Sequence, residues 1–297
     1  MSKESNSARS KQTTIQITEA ALLMPFLQQK FPDKSRTTIK SLLIHRQVSV
    51  DHTVATRHDH PLLPGQMVII NWSKVPEVIH YPGITILFED ESLIVIEKEA
   101  GILSIATDKE TDKTAYSMLS QHVKKADPKN KIFVVHRLDR ETSGVMLFAK
   151  SLEIQSILQE DWKKTIMERT YLAVVEGVFE KQEGTVTSYL RESKALIVYS
   201  SQDPDSGQKA VTHYKVLKQK DGFALLEINL ETGRKNQIRV HMQDLGHSIV
   251  GDKKYGATTS PLKRLGLHAK VLSFRHPKTG KVVRFETEIP YKFLWLF

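Results

Sequence analysis

Two uninterrupted apolar runs bracket the most polar loop of the chain. Ile132, Phe133, Val134 and Val135 precede it, and Val145, Met146, Leu147, Phe148 and Ala149 follow it. Runs of this length without a charge predict strands buried on both faces. Between them lies HRLDRETSG, residues 136–144, a loop anchored at both ends. Thr142 and Ser143 can bond nearby backbone groups, and Gly144 can take the positive φ needed for a sharp return into the second strand. Such a turn holds a carboxylate, Asp139, on a rigid support.

The same patterning extends along the rest of the chain. Ile84, Ile86 and Phe88, then Leu93 and Val95, alternate around the turn residues 89–92 and predict a β-hairpin. A helix is expected around 114–124. Leu152, Ile157, Leu158, Trp162 and Ile166 recur at helical spacing and are expected in the core. Strands are predicted over 171–175, 186–190, 210–217, 223–230, 267–274 and 282–288, with polar turns such as 203–208 between them. Ile238, Met242 and Leu245 share one face of a short helix that starts near Gly233 and Asn236 and ends at Gly246, with Arg239 near one end.

Before residue 84 the pattern is different. Residues 1–13 are polar with almost no apolar anchor and are expected to form a disordered tail. Ala21, Leu22, Pro25, Phe26 and Leu27 suggest a first helix, with Pro25 in its early turns. Ser35 is placed to cap a second helix that turns Ile39, Leu42 and Leu43 inward and Arg36, Lys40 and Arg46 outward. Alternation at Val48 and Val50, a Pro64-Gly65 turn and the run Val68, Ile69, Ile70 predict strands. Two prolines and a glycine within 74–83 mark a linker. The domain boundaries that follow are a tail at 1–13, a small module at 14–75, a linker at 76–83 and a large domain at 84–297.

Composition narrows the chemistry. A chain of 297 residues, 40% hydrophobic and 26% charged, is an ordinary globular protein. It carries no apolar stretch of membrane-spanning length and no secretory signal, so a cytoplasmic location is expected. Without cysteine there is no disulfide, thiolate nucleophile or Cys-ligated zinc. His45, His52, His58 and His60 lack acidic or thiol co-ligands at a fixed spacing and are taken as loop residues or weak RNA contacts, so no metal site is expected. No phosphate-binding GxxxxGK[ST] pattern occurs, and GDKKYG at 251–256 is not one. The net charge is +9, and through residue 75 ten Lys and Arg stand against five acids. That asymmetry favours a polyanionic partner.

HRLDRETSG with the apolar run and Ala149-Lys150 after it closely resembles the catalytic motif of the RluA-type pseudouridine synthases, which isomerise uridine in RNA. The resemblance recurs in matching order. ILFEDESLIVIEKEAG resembles the family's opening motif, with Glu99 where a proline is usual after Lys98. ERTYLAVVEG, KAVTHYKV and ETGRKNQIRVH follow, the last with Lys235 and Asn236 where Thr and His are common. SRTTIKSLLIHRQVSVD and LPGQMVIIN resemble the S4 RNA-binding module.

The resemblance implies an α+β protein, a small S4-like module followed by a catalytic domain with a mixed, mainly antiparallel sheet. It implies Asp139 as catalytic carboxylate, Arg239 as its partner, Tyr171 packing on the extruded base, and Arg137 occupying the space that base leaves. His136, Arg234, Lys235, Asn236, Arg36, Lys40 and Arg46 are the candidate RNA contacts. No cofactor is implied, and a monomer is expected. Breaking the C1′–N1 bond, turning the uracil and joining C5 to C1′ involves no redox change. Asp139 could attack the ribose or abstract a sugar proton. Large-subunit ribosomal RNA is the favoured substrate, with transfer RNA, or a non-catalytic RNA-binding role on the same fold, as alternatives. HRLD also resembles a kinase catalytic loop, but no GxGxxG precedes it and no Asp-Phe-Gly follows.

Overall fold

The structure, a computed structural model, describes residues 12–44, 47–51, 53–55, 57–72, 80–107, 110, 113–160 and 162–297. The chain divides into two units, Met1–Ile79 and His80–Phe297.

In the first unit, strand Met67–Asn71 pairs antiparallel with both Gln12–Gln16 and Val48–Val50, and the latter pairs with Thr53–Val54. Helices Leu23–Lys30 and Arg36–Ile44 supply the rest of the core. Pro25 falls within the first turn of its helix, where the missing N–H costs no intrahelical bond. The Ser35 hydroxyl accepts the Thr38 N–H at 3.1 Å, so the expected cap forms. Ile39, Leu42 and Leu43 are buried, while Arg36 and Lys40 are exposed. Gln12 and Thr13, expected in the tail, belong to the sheet: the Trp72 indole donates to the Thr13 hydroxyl at 2.7 Å and ties the first strand down. Arg46, His45 and His52 lie outside the described residues, as does 73–79 of the expected linker. His80–Tyr81, also expected in the linker, pairs instead with the start of strand Ile84–Glu89.

The second unit is built on a twelve-stranded mixed sheet. Across it run Val198–Ser201, Glu183–Glu192, Gln208–Lys220, Phe223–Leu230, Ile166–Glu176, Leu267–Arg275, Ser143–Ala149, Leu93–Lys98, Ile84–Glu89 and His80–Tyr81, with Phe133–Val134 and Val282–Glu286 paired beside this path. The predicted hairpin forms, its turn closed by Asp90, whose carboxylate accepts the Ser92 and Leu93 N–H groups. Every junction is antiparallel except one, where Ser143–Ala149 meets Leu267–Arg275 in parallel at Ser143 and Gly144. There the backbones approach so closely that a Cβ on Gly144 would stand 2.0 Å from the Ala269 carbonyl oxygen. With φ at +118° as well, only glycine fits. The polar loop 136–142 leads directly into this seam.

Two expectations need correction. The apolar spacing from 152 onward is broken into helices Leu152–Glu160 and Trp162–Thr165, and Ile166 begins a strand. The helix buries Ile154 and Leu158, one turn apart, and leaves Leu152 (63%) and Ile157 (40%) exposed rather than in the core. Strand Val198–Ser201 was not expected from the pattern.

Candidate active site

Loop 136–144 is held by side chains from four directions. The Thr142 N–H closes a turn on the Asp139 carbonyl at 3.1 Å. The Ser104 hydroxyl donates to the Leu138 carbonyl at 2.6 Å and accepts the Leu138 N–H at 3.1 Å. Lys98, fully buried, donates from Nζ to the carbonyls of Glu99 (3.0 Å), Ile102 (2.8 Å) and Arg140 (3.1 Å). Gly101 N–H also reaches the Arg140 carbonyl, at 2.9 Å. Lys98 and Gly101, the two positions kept from the family's opening motif, thus clamp the loop, and the exposed Glu99 between them does not intrude. Burial pushes the Lys98 ammonium down to about 7, with Glu141 opposing that shift.

From the other side, Arg264 Nη2 donates to the Ser143 hydroxyl at 2.8 Å. Ser143 in turn donates to His268 Nδ1 (2.8 Å), whose Nε2 faces the Thr287 hydroxyl at 2.8 Å. This one-way relay requires a neutral imidazole. Burial, with Arg264 and Lys270 adding, pushes His268 down to about 3. His136 is pushed down to about 4, first by burial and then by Arg169; its Nε2 accepts the Leu147 N–H at 3.1 Å.

Thus supported, Asp139 faces a cleft of about 680 Å³. Its carboxylate accepts Arg239 Nη1 at 3.1 Å. Arg239 is oriented by other partners: Nε and Nη2 make a two-point contact with the buried Asp252 at 2.6 and 2.8 Å, and Nη1 also reaches the Asn236 side-chain oxygen at 3.1 Å. The guanidinium lies 4.8 Å from the centre of the buried Tyr255 ring. Burial works against the Arg239 charge, but the Asp252 hydrogen bonds and charge, with Asp139 adding, outweigh it and raise its pKa. One face of the guanidinium is therefore committed to the protein, and the remaining edge is presented to Asp139.

Asn236 starts helix Gln237–Asp244 in the left-handed region at φ +55°, a conformation that Asn tolerates, and its amide donates to the Tyr255 hydroxyl at 2.9 Å. The preceding turn is fixed by the buried Gln237, which accepts from the Thr232 hydroxyl and the Arg234 N–H and donates to Val211 and Thr212. A register shift at Thr170 and Tyr171, where Ile166–Glu176 meets Leu267–Arg275, brings Tyr171 to the cleft wall. Burial pushes its phenol up, with Arg169 opposing and Asp139 adding.

The cleft gathers Asp139, Tyr171, Arg239, His136, Arg137, Arg234, Lys235 and Asn236. Arg137 is exposed, with no hydrogen-bond partner among the described residues. Lys235 pairs with Glu192, and Arg234 Nε donates to the Lys209 carbonyl at 3.1 Å. Arg36 and Lys40 belong to the other unit. The motifs did not single out Asp252, Tyr255 or Arg169. For Asp252 a signal was present in GDKKYG, since a carboxylate flanked by glycine and a buried-strand pattern needs a cation if it goes inside. Among the described residues no group of three or more His, Asp or Glu is arranged to hold a metal, and no helix is long and apolar enough to cross a membrane.

A sheet seam presenting a carboxylate braced by a half-buried arginine, in a cleft rimmed by cations, suits an enzyme that works on a polyanionic substrate. Residues 92–244 match the model of the RNA pseudouridylate synthase family. The chain is 34% identical over 261 residues to the uncharacterized RNA pseudouridine synthase YhcT of Bacillus subtilis, covering 86% of each. It is 31% identical over 290 residues to the ribosomal large subunit pseudouridine synthase D of Pseudomonas aeruginosa, covering 90% of this chain and 88% of that one. Its fold is similar to the solved structure of human RNA Pseudouridylate Synthase Domain Containing 4, with a TM-score of 0.58 at 24% identity over 70% of this chain and 90% of that chain. The chain belongs to the RNA pseudouridine synthase family, among its RluA-like members, and is an isomerase that converts uridine in RNA to pseudouridine.

Proposed function

We propose that this enzyme modifies uridine in large-subunit ribosomal RNA, with Asp139 as the catalytic carboxylate. The observation that carries the role of Asp139 is its contact with Arg239. The guanidinium is fixed by Asp252, so it can orient the carboxylate and offset its charge without moving during turnover. Asp139 keeps 32% of its side chain open to the cleft, against 2% for Asp252, so it is the carboxylate of the pair a ribose can reach.

The uridine must leave its helix or loop to enter the cleft. Arg137, exposed and unpaired at the cleft, is suited to fill the vacated space, and Tyr171 to pack against the extruded base. Arg234, Lys235 and Asn236 lie where flanking phosphates would pass. C1′–N1 then breaks with Asp139 attacking the ribose or removing a sugar proton, C5 joins C1′, and the C5 proton leaves.

The choice of RNA rests on several relatives named ribosomal large subunit pseudouridine synthase D, each 31–32% identical over 89–90% of this chain. We further infer that the first unit is an S4-like RNA-binding module. It supports this reading with two helices, an antiparallel sheet, and Arg36 and Lys40 exposed on one helix. The proposal includes a cytoplasmic monomer needing no metal or cofactor.

The test is tritium release from RNA labelled at uridine C5, using unmodified large-subunit ribosomal RNA and transfer RNA in parallel, because the new bond expels that hydrogen. Release from the ribosomal RNA alone is expected. Release from transfer RNA alone would move the substrate assignment there.

A further inference from the structure

A second groove, of about 430 Å³, opens beside the cleft and shares Trp162, Arg169 and Leu230 with it. Its apolar side includes Ile166, Val211 and Met167, the last 55% exposed, and Lys209 is exposed at its rim. Two acids also line it: Glu168 is paired with Arg284 at 3.0 Å, and Glu231 is hydrogen-bonded to His213 at 2.6 Å.

Arg169 forms the boundary. Its Nη2 donates to the carbonyls of Leu230 (3.2 Å) and Glu231 (3.0 Å), and its guanidinium lies 5.9 Å from the centre of the Trp162 ring. Nη1 lies 2.5 Å from the point a Cβ would take on Gly233, so the glycine makes room for it. Neither Nη1 nor Nε has a hydrogen bond, and no carboxylate pairs with Arg169, among the described residues. A half-buried guanidinium oriented by backbone, with donors unspent and no counter-ion, is matched by an anion from outside the protein. A phosphodiester supplies that anion, and the groove beyond it offers an indole and a thioether for a base to lie on.

We propose that this groove is a subsite for the nucleotide adjoining the target uridine, with its base on Trp162 and Met167 and the connecting phosphodiester between Arg169 and Lys209. The inference rests on the main cleft being where the target uridine lies. It makes the enzyme a reader of at least two successive unstacked nucleotides, and it places part of the substrate preference outside the cleft that holds Asp139.

The subsite is tested with two small probes, uridine 3′,5′-bisphosphate (pUp) and the dinucleotide UpUp, titrated by calorimetry into the full-length protein and into a Met167→Ala/Lys209→Ala variant. Both substitutions are at exposed positions outside the main cleft. The native protein is expected to bind UpUp about tenfold more tightly than pUp, the scale of one base stacked on an aromatic side chain. The variant should lose that gain, while its affinity for pUp falls only by the share Lys209 gives to the phosphate that both probes carry. Equal affinities of the native protein for the two probes, or a gain that survives in the variant, overturns the subsite. Tritium release keeps the two readings apart. If the native enzyme releases tritium from ribosomal RNA and the variant matches its kcat/KM, the subsite falls alone, whereas a tenfold lower kcat/KM supports it. If the native enzyme releases none from either RNA, the cleft assignment falls and takes the subsite with it.

Discussion

Among the described residues, fourteen side chains form the core of the first unit and all are apolar; no polar side chain there is buried. In the second unit Lys98, Ser143, Gln237, His241, Asp252, His268 and His276 are buried among the hydrophobic clusters; Thr142 is buried too, but its hydroxyl has no hydrogen-bond partner among the described residues, so the side-chain bond expected of it does not form. An apolar core needs only shape and volume to hold a surface in place. A buried polar group needs each partner in place, and a missing one leaves it costly. The buried polar groups around Asp139 are arranged as struts under the loop: Lys98 and Ser104 on one side, Ser143, His268 and Arg264 on the other, with Asp252 behind Arg239. The second unit thus holds a few atoms at fixed positions, while the first holds a surface.

Removing the chemical centre should give the largest effect. Asp139→Asn keeps the side chain's size and a contact to Arg239, so RNA affinity should stay within about twofold of the native value. Turnover by tritium release should fall by about a thousandfold or more, roughly 4 kcal/mol in the barrier to reaction. Measurable turnover near the native rate would take the aspartate out of its role.

A strut should come next. Lys98→Met has similar volume but takes the ammonium donor from the carbonyls of Glu99 and Ile102 and leaves Arg140 with the Gly101 N–H alone. A loss of roughly 3 kcal/mol in the stability of the second unit is expected in urea melts, with the first unit unaffected. A loss below about 1 kcal/mol would mean that the three carbonyls find other partners, and that the clamp on the loop is not made by this lysine.

These struts mark the limit of what the sequence makes legible. Local features come through: the hairpin around Asp90, the Ser35 cap, the glycine at 144 and the buried strand after HRLDRETSG all form, whereas the apolar run before it pairs only at Phe133–Val134, both half-buried rather than buried. The hairpin turn and the cap depend on neighbours within a few residues, whereas Gly144 is also required by its approach to Ala269, which the local pattern does not show. Arg239 is a hundred residues from Asp139, and periodicity alone makes it a surface cation; only the motif resemblance pairs the two. Asp252 and Tyr255 went unassigned because their partner is reached across the fold. Short strands such as Val198–Ser201 carry too few residues to show a period, and Leu152 and Ile157 match a helical period without facing the core.

Acid should separate the units by a smaller amount. His268 is neutral when folded, with a pKa pushed down to about 3, against 6.5 ordinarily. Between those values the unfolded chain binds a proton that the folded chain refuses, so this contribution is intact above pH 6.5 and is lost as the pH falls toward 3. At pH 5 the loss is roughly 2 kcal/mol. Hydrogen exchange corrected for intrinsic rates should show it in strand Leu267–Arg275 between pH 7 and 5, and not in strand Met67–Asn71. His268→Gln should flatten it. Equal loss in both strands would assign the acid sensitivity to something other than this imidazole.

The smallest effect belongs to the first unit's surface. Arg36 and Lys40 are four positions apart on helix Arg36–Ile44, both exposed, along the flank of the face that buries Ile39, Leu42 and Leu43. Truncating both to alanine removes no core contact and favours the helix slightly, so stability should stay within about 0.5 kcal/mol of native. If the two cations contact phosphates, ribosomal RNA affinity should fall about tenfold at low salt, and the slope of log K against log salt should become shallower by about 1.5, as two fewer counterions are released. The turnover of RNA already bound should not change, because neither residue belongs to the unit that carries Asp139. A solvated helix face with no RNA on it would leave both affinity and slope at native values, and the first unit's role would then have to be found on another of its faces.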